Sequence, residues 1–315
     1  AETPLLTVSP ASLSPRPERR GGDCAHNLPD PCLSRVAGRG LALMFSLCIA
    51  GTAVAQSVDE PTGLPAISII IDDLGYRRLD GLRALELPGP VAYAFLPHTP
   101  YASRLAGIAF QLDKEVLLHV PMESELDKAL GPGGLTSAMA RLEVRAALDA
   151  GLASVPHVSG INNHMGSALT REPLAMQWVM EWMSSNGPLY FVDSLTSADS
   201  VAMKSASNAG LHAIERDVFL DASPDTEQIR RQFQRLIAIA RERGTGLAIG
   251  HPYPQTLSVL RNVLLKPSYY GVKLVSVRDL ITRRARKSHV RSTDPARNHH
   301  ARPHYAHNTP ITVAK

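Results

Sequence analysis

The sequence predicts an α/β fold in which about seven parallel strands close, or nearly close, into a (β/α) barrel. Three observations predict it. Short apolar runs recur through residues 65–282, longer amphipathic segments separate most of them, and polar groups suited to metal binding or proton transfer fall at the same end of successive runs. Continuous apolar runs mark strands buried on both faces, and alternation with helices makes the sheet parallel. Seven or eight such units in one domain-sized stretch fit a closed sheet better than an open one, and no 20–50-residue repeat marks a solenoid.

The expected strands are 67–71, 91–96, 116–120, 157–161, 189–192, 218–220, 246–249 and 273–277. Between them, residues 77–87, 101–112, 138–153, 173–185 and 226–243 carry helical periodicity, with Thr136, Thr170 and Ser223 as expected N-caps. The first strand runs into Asp72-Asp73-Leu74-Gly75, which is not a G-x-G-x-x-G turn, so no nucleotide cofactor is expected.

The flanks read differently. Residues 35–55 hold a basic start, an apolar run and Ala53-Val54-Ala55, the pattern of an export signal cut before Gln56. That makes the mature protein periplasmic or secreted. The run is short for a membrane span of ~20 residues, although an uncleaved anchor is the competing reading. Residues 1–34, rich in Pro, Arg and Ser, are expected to be disordered or to precede the true start. Residues 283–315 carry eight Lys or Arg against Asp294 alone, a surplus of seven in a chain of net charge +4, which leaves the rest at −3. The high pI therefore belongs to this His-rich stretch, expected to be a disordered tail, and gives no reason to expect nucleic-acid binding. Cys24, Cys32 and Cys48 all precede residue 56, so the main domain has no disulfide and no thiol nucleophile.

Active sites of parallel β/α folds gather at the carboxyl ends of the strands. Here those ends carry Asp72-Asp73, His119, Asn162-Asn163-His164, Asp193, Asp221 and His251. An Asp after a strand also serves often as a helix N-cap, which is the competing reading of Asp193 and Asp221; His98 is expected to be structural. Two adjacent carboxylates at the end of a buried strand repel each other and lose solvation, and a cation relieves both costs. One of them can then bind metal while its neighbour acts as a base.

The stretches ISIIIDDLG (67–75), LLHVPME (117–123), GINNHMGS (160–167), YFVDSLTS (190–197), VFLDAS (218–223) and IGHPYPQT (249–256) resemble, in order, the divergent polysaccharide deacetylase family. The resemblance implies a deformed (β/α) barrel and metal-assisted removal of acetyl groups from a glycan. It makes Asp72 the base, Asp73 and His164 metal ligands and His251 the acid. The usual H-x-x-x-H motif is broken, since Ala168 stands four residues after His164. Resemblance to this branch, taken with strand-end position, gives the vacant ligand role to His119. An Arg-x-Pro-Tyr substrate motif has no clear counterpart.

On this reading the metal, with zinc preferred, is held by Asp73, His119 and His164. Asp193 orients His251 or holds a sugar hydroxyl, and Asn163, Glu123 and Asp221 contact an acetylated glycan. The rival is a non-catalytic envelope protein that keeps the barrel as a glycan-binding or scaffolding module. The altered motifs favour the rival. Retention of Asp72, Asp73, His119, His164 and His251 together opposes it.

Overall fold

The computed structural model describes residues 63–126 and 128–292. The expected export signal, the three cysteines, the segment before them and everything after Ser292 lie outside the described residues. In chain order the elements are β1 (Ala66–Leu74), α1 (Arg78–Leu85), β2 (Ala92–Phe95), α2 (Ala102–Gln111), β3 (Val116–Met122), α3 (Arg141–Ser154), β4 (Val158–Met165), α4 (Pro173–Ser185) and β5 (Tyr190–Asp193). There follow α5 (Ala202–Asn208), β6 (Ala213–Glu215), β7 (Val218–Phe219), α6 (Thr226–Arg243), β8 (Thr245–Gly250), α7 (Pro254–Val263), β9 (Lys273–Leu274) and α8 (Val277–Ser292).

All pairings between strands are parallel, and the order is β6-β5-β4-β3-β2-β1-β8-β7, with β9 beside the start of β1. The two edge strands, β6 and β7, are consecutive in the chain. Across the seam the Arg216 N–H donates to the Asp193 carbonyl at 3.0 Å and the Asp217 N–H to the Leu247 carbonyl at 2.9 Å. One short segment thus changes partners from β5 to β8, and the curled sheet is the expected deformed (β/α) barrel.

Strand side chains alternate between two apolar layers. Ile67, Ile69 and Ile71, Val116, Leu118 and Val120, and Ile161 and Phe191 pack outward against α1–α7. Ile70, Ala92, Ala94, Leu117, Tyr190, Val192, Leu247 and Ile249 point inward, where Val277, Leu280 and Ile281 of α8 join them. Helix α8 therefore stoppers the barrel at the amino ends of the strands. Glu115 holds it there by accepting from the Val277 and Arg278 N–H groups at 2.6 and 3.1 Å.

Several expectations need correction. The boundary at residue 282 cuts through α8, which continues to Ser292. Arg284 donates to Thr245 Oγ1 and the Glu215 carbonyl and pairs with Asp217, so residues 283–292 are helix rather than the start of a disordered tail. None of the expected caps serves: the N-cap residues of α3, α4 and α6 are Ala140, Glu172 and Asp225, and Asp225 accepts from the Gln228 N–H. Thr170 instead donates to the Gly166 carbonyl. Strand β6 and helices α5, α7 and α8 are not among the expected elements. Among the described residues, no helix is long and apolar enough to cross a membrane.

Candidate active site

The site lies where β1, β3, β4 and β8 end. Alternation along β1 turns Ser68, Ile70 and Asp72 inward, and a register shift between Ile71 and Leu74 interrupts it. Asp73, at φ 60, sits in that bulge in the left-handed region, which Asp tolerates better than most residues. The bulge lets two consecutive carboxylates serve one cavity. Gly75 completes the turn at φ 124, where a Cβ would lie 2.0 Å from Thr99 Oγ1.

Asp73 Oδ1 lies 2.8 Å from His164 Nδ1 and 3.2 Å from His119 Nε2, and these ligand atoms all fall within 4.8 Å of one another. Buried Oδ1 makes no hydrogen bond of acceptable geometry despite both neighbours. His119 Nδ1 is 2.8 Å from Asn162 Oδ1, an acceptor that keeps a proton on Nδ1 and leaves Nε2 as the nitrogen turned to Asp73. Three converging donors, one an orphaned carboxylate oxygen and one a tautomer-locked imidazole, fit a divalent cation. Burial opposes ionisation of Asp73, but the two imidazoles overcome it and hold its carboxyl well below the usual carboxylate range.

Asp72 is buried, and Asn162 Nδ2 donates to its Oδ1 at 2.9 Å. Its Oδ2 faces His119 Nε2 at 3.6 Å. Burial pushes the Asp72 pKa up, against the charges of His119 and His251. His251 follows β8, with Nε2 3.6 Å from Asp73 Oδ2. Asp221 Oδ1 lies 2.9 Å from His251 Nδ1, while Oδ2 accepts from the His251 N–H at 2.7 Å and from Thr256 Oγ1 at 2.6 Å. Burial works against protonation of His251. The hydrogen bond and charge of Asp221, with Asp73 and Asp72 beyond, outweigh it and push the pKa up to about 9.

Asp72, Asp73, His119, His164 and His251 thus form one cluster. Four other expected site residues have different surroundings. Asp193 is on the outward parity of β5, and its oxygens accept from the Leu195 N–H at 2.8 Å and Ser200 Oγ at 2.6 Å. It caps the loop after β5 and does not touch His251. Asp221 has both oxygens engaged, by His251 and Thr256. Asn163 is buried on the outward side of β4, with Nδ2 donating to the Met165 carbonyl and Oδ1 accepting from the Ser194 N–H, so its amide is unavailable to substrate. Glu123 Oε2 accepts from the Ser137 N–H at 2.6 Å and holds the loop that follows β3. Two orienting residues carry no assigned role in the sequence reading, Asn162 (named only as a strand-end residue) and Thr256; both are fully buried and polar. Strand parity signals the first of them, since Asn162 lies two residues before His164. At the seam, the Arg216 guanidinium sits 5.0 Å over the Phe219 ring and donates to the Ser194 and Leu195 carbonyls.

The chain is 37% identical over 227 residues to the Escherichia coli (strain K12) protein YibQ, across 71% of each chain. A Haemophilus influenzae protein is 34% identical over 195 residues, 62% of this chain and 69% of that one. The fold is shared with a solved structure, ATU2773 of Agrobacterium tumefaciens C58, at TM-score 0.67 and 22% identity, covering 70% of this chain and 91% of that one. Residues 69–281 match the model of one family along nearly the whole barrel, and the chain belongs to that family, the divergent polysaccharide deacetylases.

Proposed function

We infer that the protein is an exported, metal-dependent hydrolase that removes acetyl groups from an envelope or secreted glycan. The observation that carries this reading is the clustering of three converging cation donors with the inward carboxyl of Asp72 and with His251, whose ring Asp221 orients. A divalent cation held by Asp73, His119 and His164, zinc by the preference for such donors, would polarise the acyl carbonyl and acidify water beside it towards a pKa of ~7.

The protein's own groups handle the protons. Asp72 Oδ1 is occupied by Asn162, which leaves Oδ2 to take the proton of the attacking water. His251 Nε2 carries the proton for the departing amine or alkoxide, because Asp221 fixes Nδ1 as the other N–H. Asp221 thereby selects the ring orientation and stabilises the cation before transfer and through it. A glycan-binding module needs no such oriented acid, which weighs against the non-catalytic reading.

Metal analysis of protein beginning at Gln56, coupled to acetate release from N- and O-acetylated glycans, tests the function. Stoichiometric divalent metal with acetate release is expected; a metal-bearing protein that releases none from any of them contradicts it. Export is tested by N-terminal sequencing of the envelope fraction. Gln56 is the expected first residue, and recovery of an uncut 41–55 segment contradicts cleavage.

A further inference from the structure

The exposed aromatic side chains among the described residues include Tyr76, Tyr101 and Tyr253, in loops at the carboxyl ends of β1, β2 and β8. All three therefore stand at the end of the barrel that holds the active site. Singly exposed aromatics are ordinary, so exposure alone assigns nothing. Tyr253 has two further properties. Its ring centroid lies 5.5 Å from that of His251, at an interplanar angle of 34°, and it belongs to neither apolar core cluster. Its backbone is also fixed in place. Pro252 and Pro254 flank it, and its φ −69 and ψ 141 are the extended values imposed on a residue before proline.

We propose that Tyr253 is the platform on which the sugar ring of the substrate stacks, and that this ring is an acylated pyranose with equatorial substituents. The chemistry of the cavity selects such a ligand. On one side stands the aromatic ring of Tyr253, a residue 43% exposed on a backbone that two prolines hold. On the other stand carboxylates and imidazoles, which demand polar groups. A pyranose with equatorial substituents meets both demands, with hydroxyls and acylamino or acyloxy groups at its rim and only C–H bonds on its faces. Those hydrogens carry partial positive charge and meet the negative face of the phenol ring. Stacked there, the ring has its acyl rim turned to His251 Nε2 and Asp72. A flexible acyl ester lacking a ring gains nothing from the platform. The inference rests on the hydrolase reading for the substrate's acyl group, but the platform itself is a matter of binding.

Calorimetric titration with tetra-N-acetylchitotetraose and with acetylated xylotetraose tests it, on mature parent protein, Tyr253→Ala, Tyr253→Phe and Tyr253→Leu. The parent is expected to bind at least one tetramer. Tyr253→Ala and Tyr253→Leu should each weaken that binding about tenfold, and Tyr253→Phe should stay within about twofold, because the ring face and not the hydroxyl makes the contact. Leu keeps an apolar side chain of substantial size, so a folding defect confined to the Ala variant does not obscure the result. Parent-like binding by the Ala and Leu variants, equal loss in the Phe variant, or no binding of either tetramer by the parent overturns the proposal. Binding is read without turnover, so the two readings fail separately. Tyr253-dependent binding without acetate release leaves the platform and removes the hydrolase, whereas acetate release with Tyr253-independent binding does the reverse.

Discussion

Asp221 grips His251 at two points, Nδ1 of the ring at 2.9 Å and the backbone N–H at 2.7 Å. The pair links β7 to β8 and sets which imidazole nitrogen faces Asp73. Replacing Asp221 by Asn keeps the shape and removes the charge, so kcat on an acetylated substrate should fall by about 10²-fold, the upper range for loss of such a partner.

The same variant reports on pH. His251 has its pKa raised from 6.5 to about 9, so its protonated form stabilises the ion-free fold. That contribution is fully present below about 6.5 and is lost as pH rises through about 9. The melting temperature of ion-free parent protein should fall across this window, and Asp221→Asn should flatten the fall. Parallel curves for the two proteins would remove Asp221 as the cause.

Asn162 ties the proposed ligand His119 to the proposed base Asp72, accepting from the first and donating to the second. Asn162→Ala leaves both buried partners unpaired and frees the tautomer of His119. Zinc affinity, read by competition with a chromophoric chelator, should drop about 10- to 100-fold. Unchanged affinity would mean that His119 is oriented by packing alone.

Arg284 extends from α8 to the seam, where the Asp217 side chain is 5% exposed. Arg284→Ala removes a charged partner from a buried carboxylate that retains the Leu247 N–H and Arg243. The cost should be about 1–3 kcal/mol, or several degrees of melting temperature for a domain of this size. Truncation after Thr282 should cost at least as much, whereas truncation after Ser292 should not.

The barrel was legible because its strands are buried on both faces and read as apolar runs. The cavity was legible because chemistry collects at one end of those runs. Strand parity carries the rest of the signal. Counting by twos from the inward Ile70 and Leu117 reaches Asp72 and His119, and counting inward along β4 selects Asn162 over Asn163. The same count along β5 sends Asp193 outward. Asp221 could not be told from a helix cap by composition, since its role depends on β7 lying beside β8 at the seam. Strand β6, three residues long, carries too little periodicity to register. Helix α8 escapes a reading by composition because Arg283, Arg284, Arg286 and Lys287 look like a solvated stretch, although Val277, Leu280 and Ile281 recur at helical spacing and cover the barrel floor.

The central claim is that adjacent carboxylates in one bulge divide the work, Asp73 holding the cation and Asp72 moving the proton. The most direct measurement compares Asp72→Asn with Asp73→Asn for bound metal and for acetate release in the same samples. Asp72→Asn should retain stoichiometric metal while turnover falls by roughly 10²–10⁴-fold. Asp73→Asn should lose both. Equal metal loss in the two variants, or acetate release surviving in Asp72→Asn, would contradict that division.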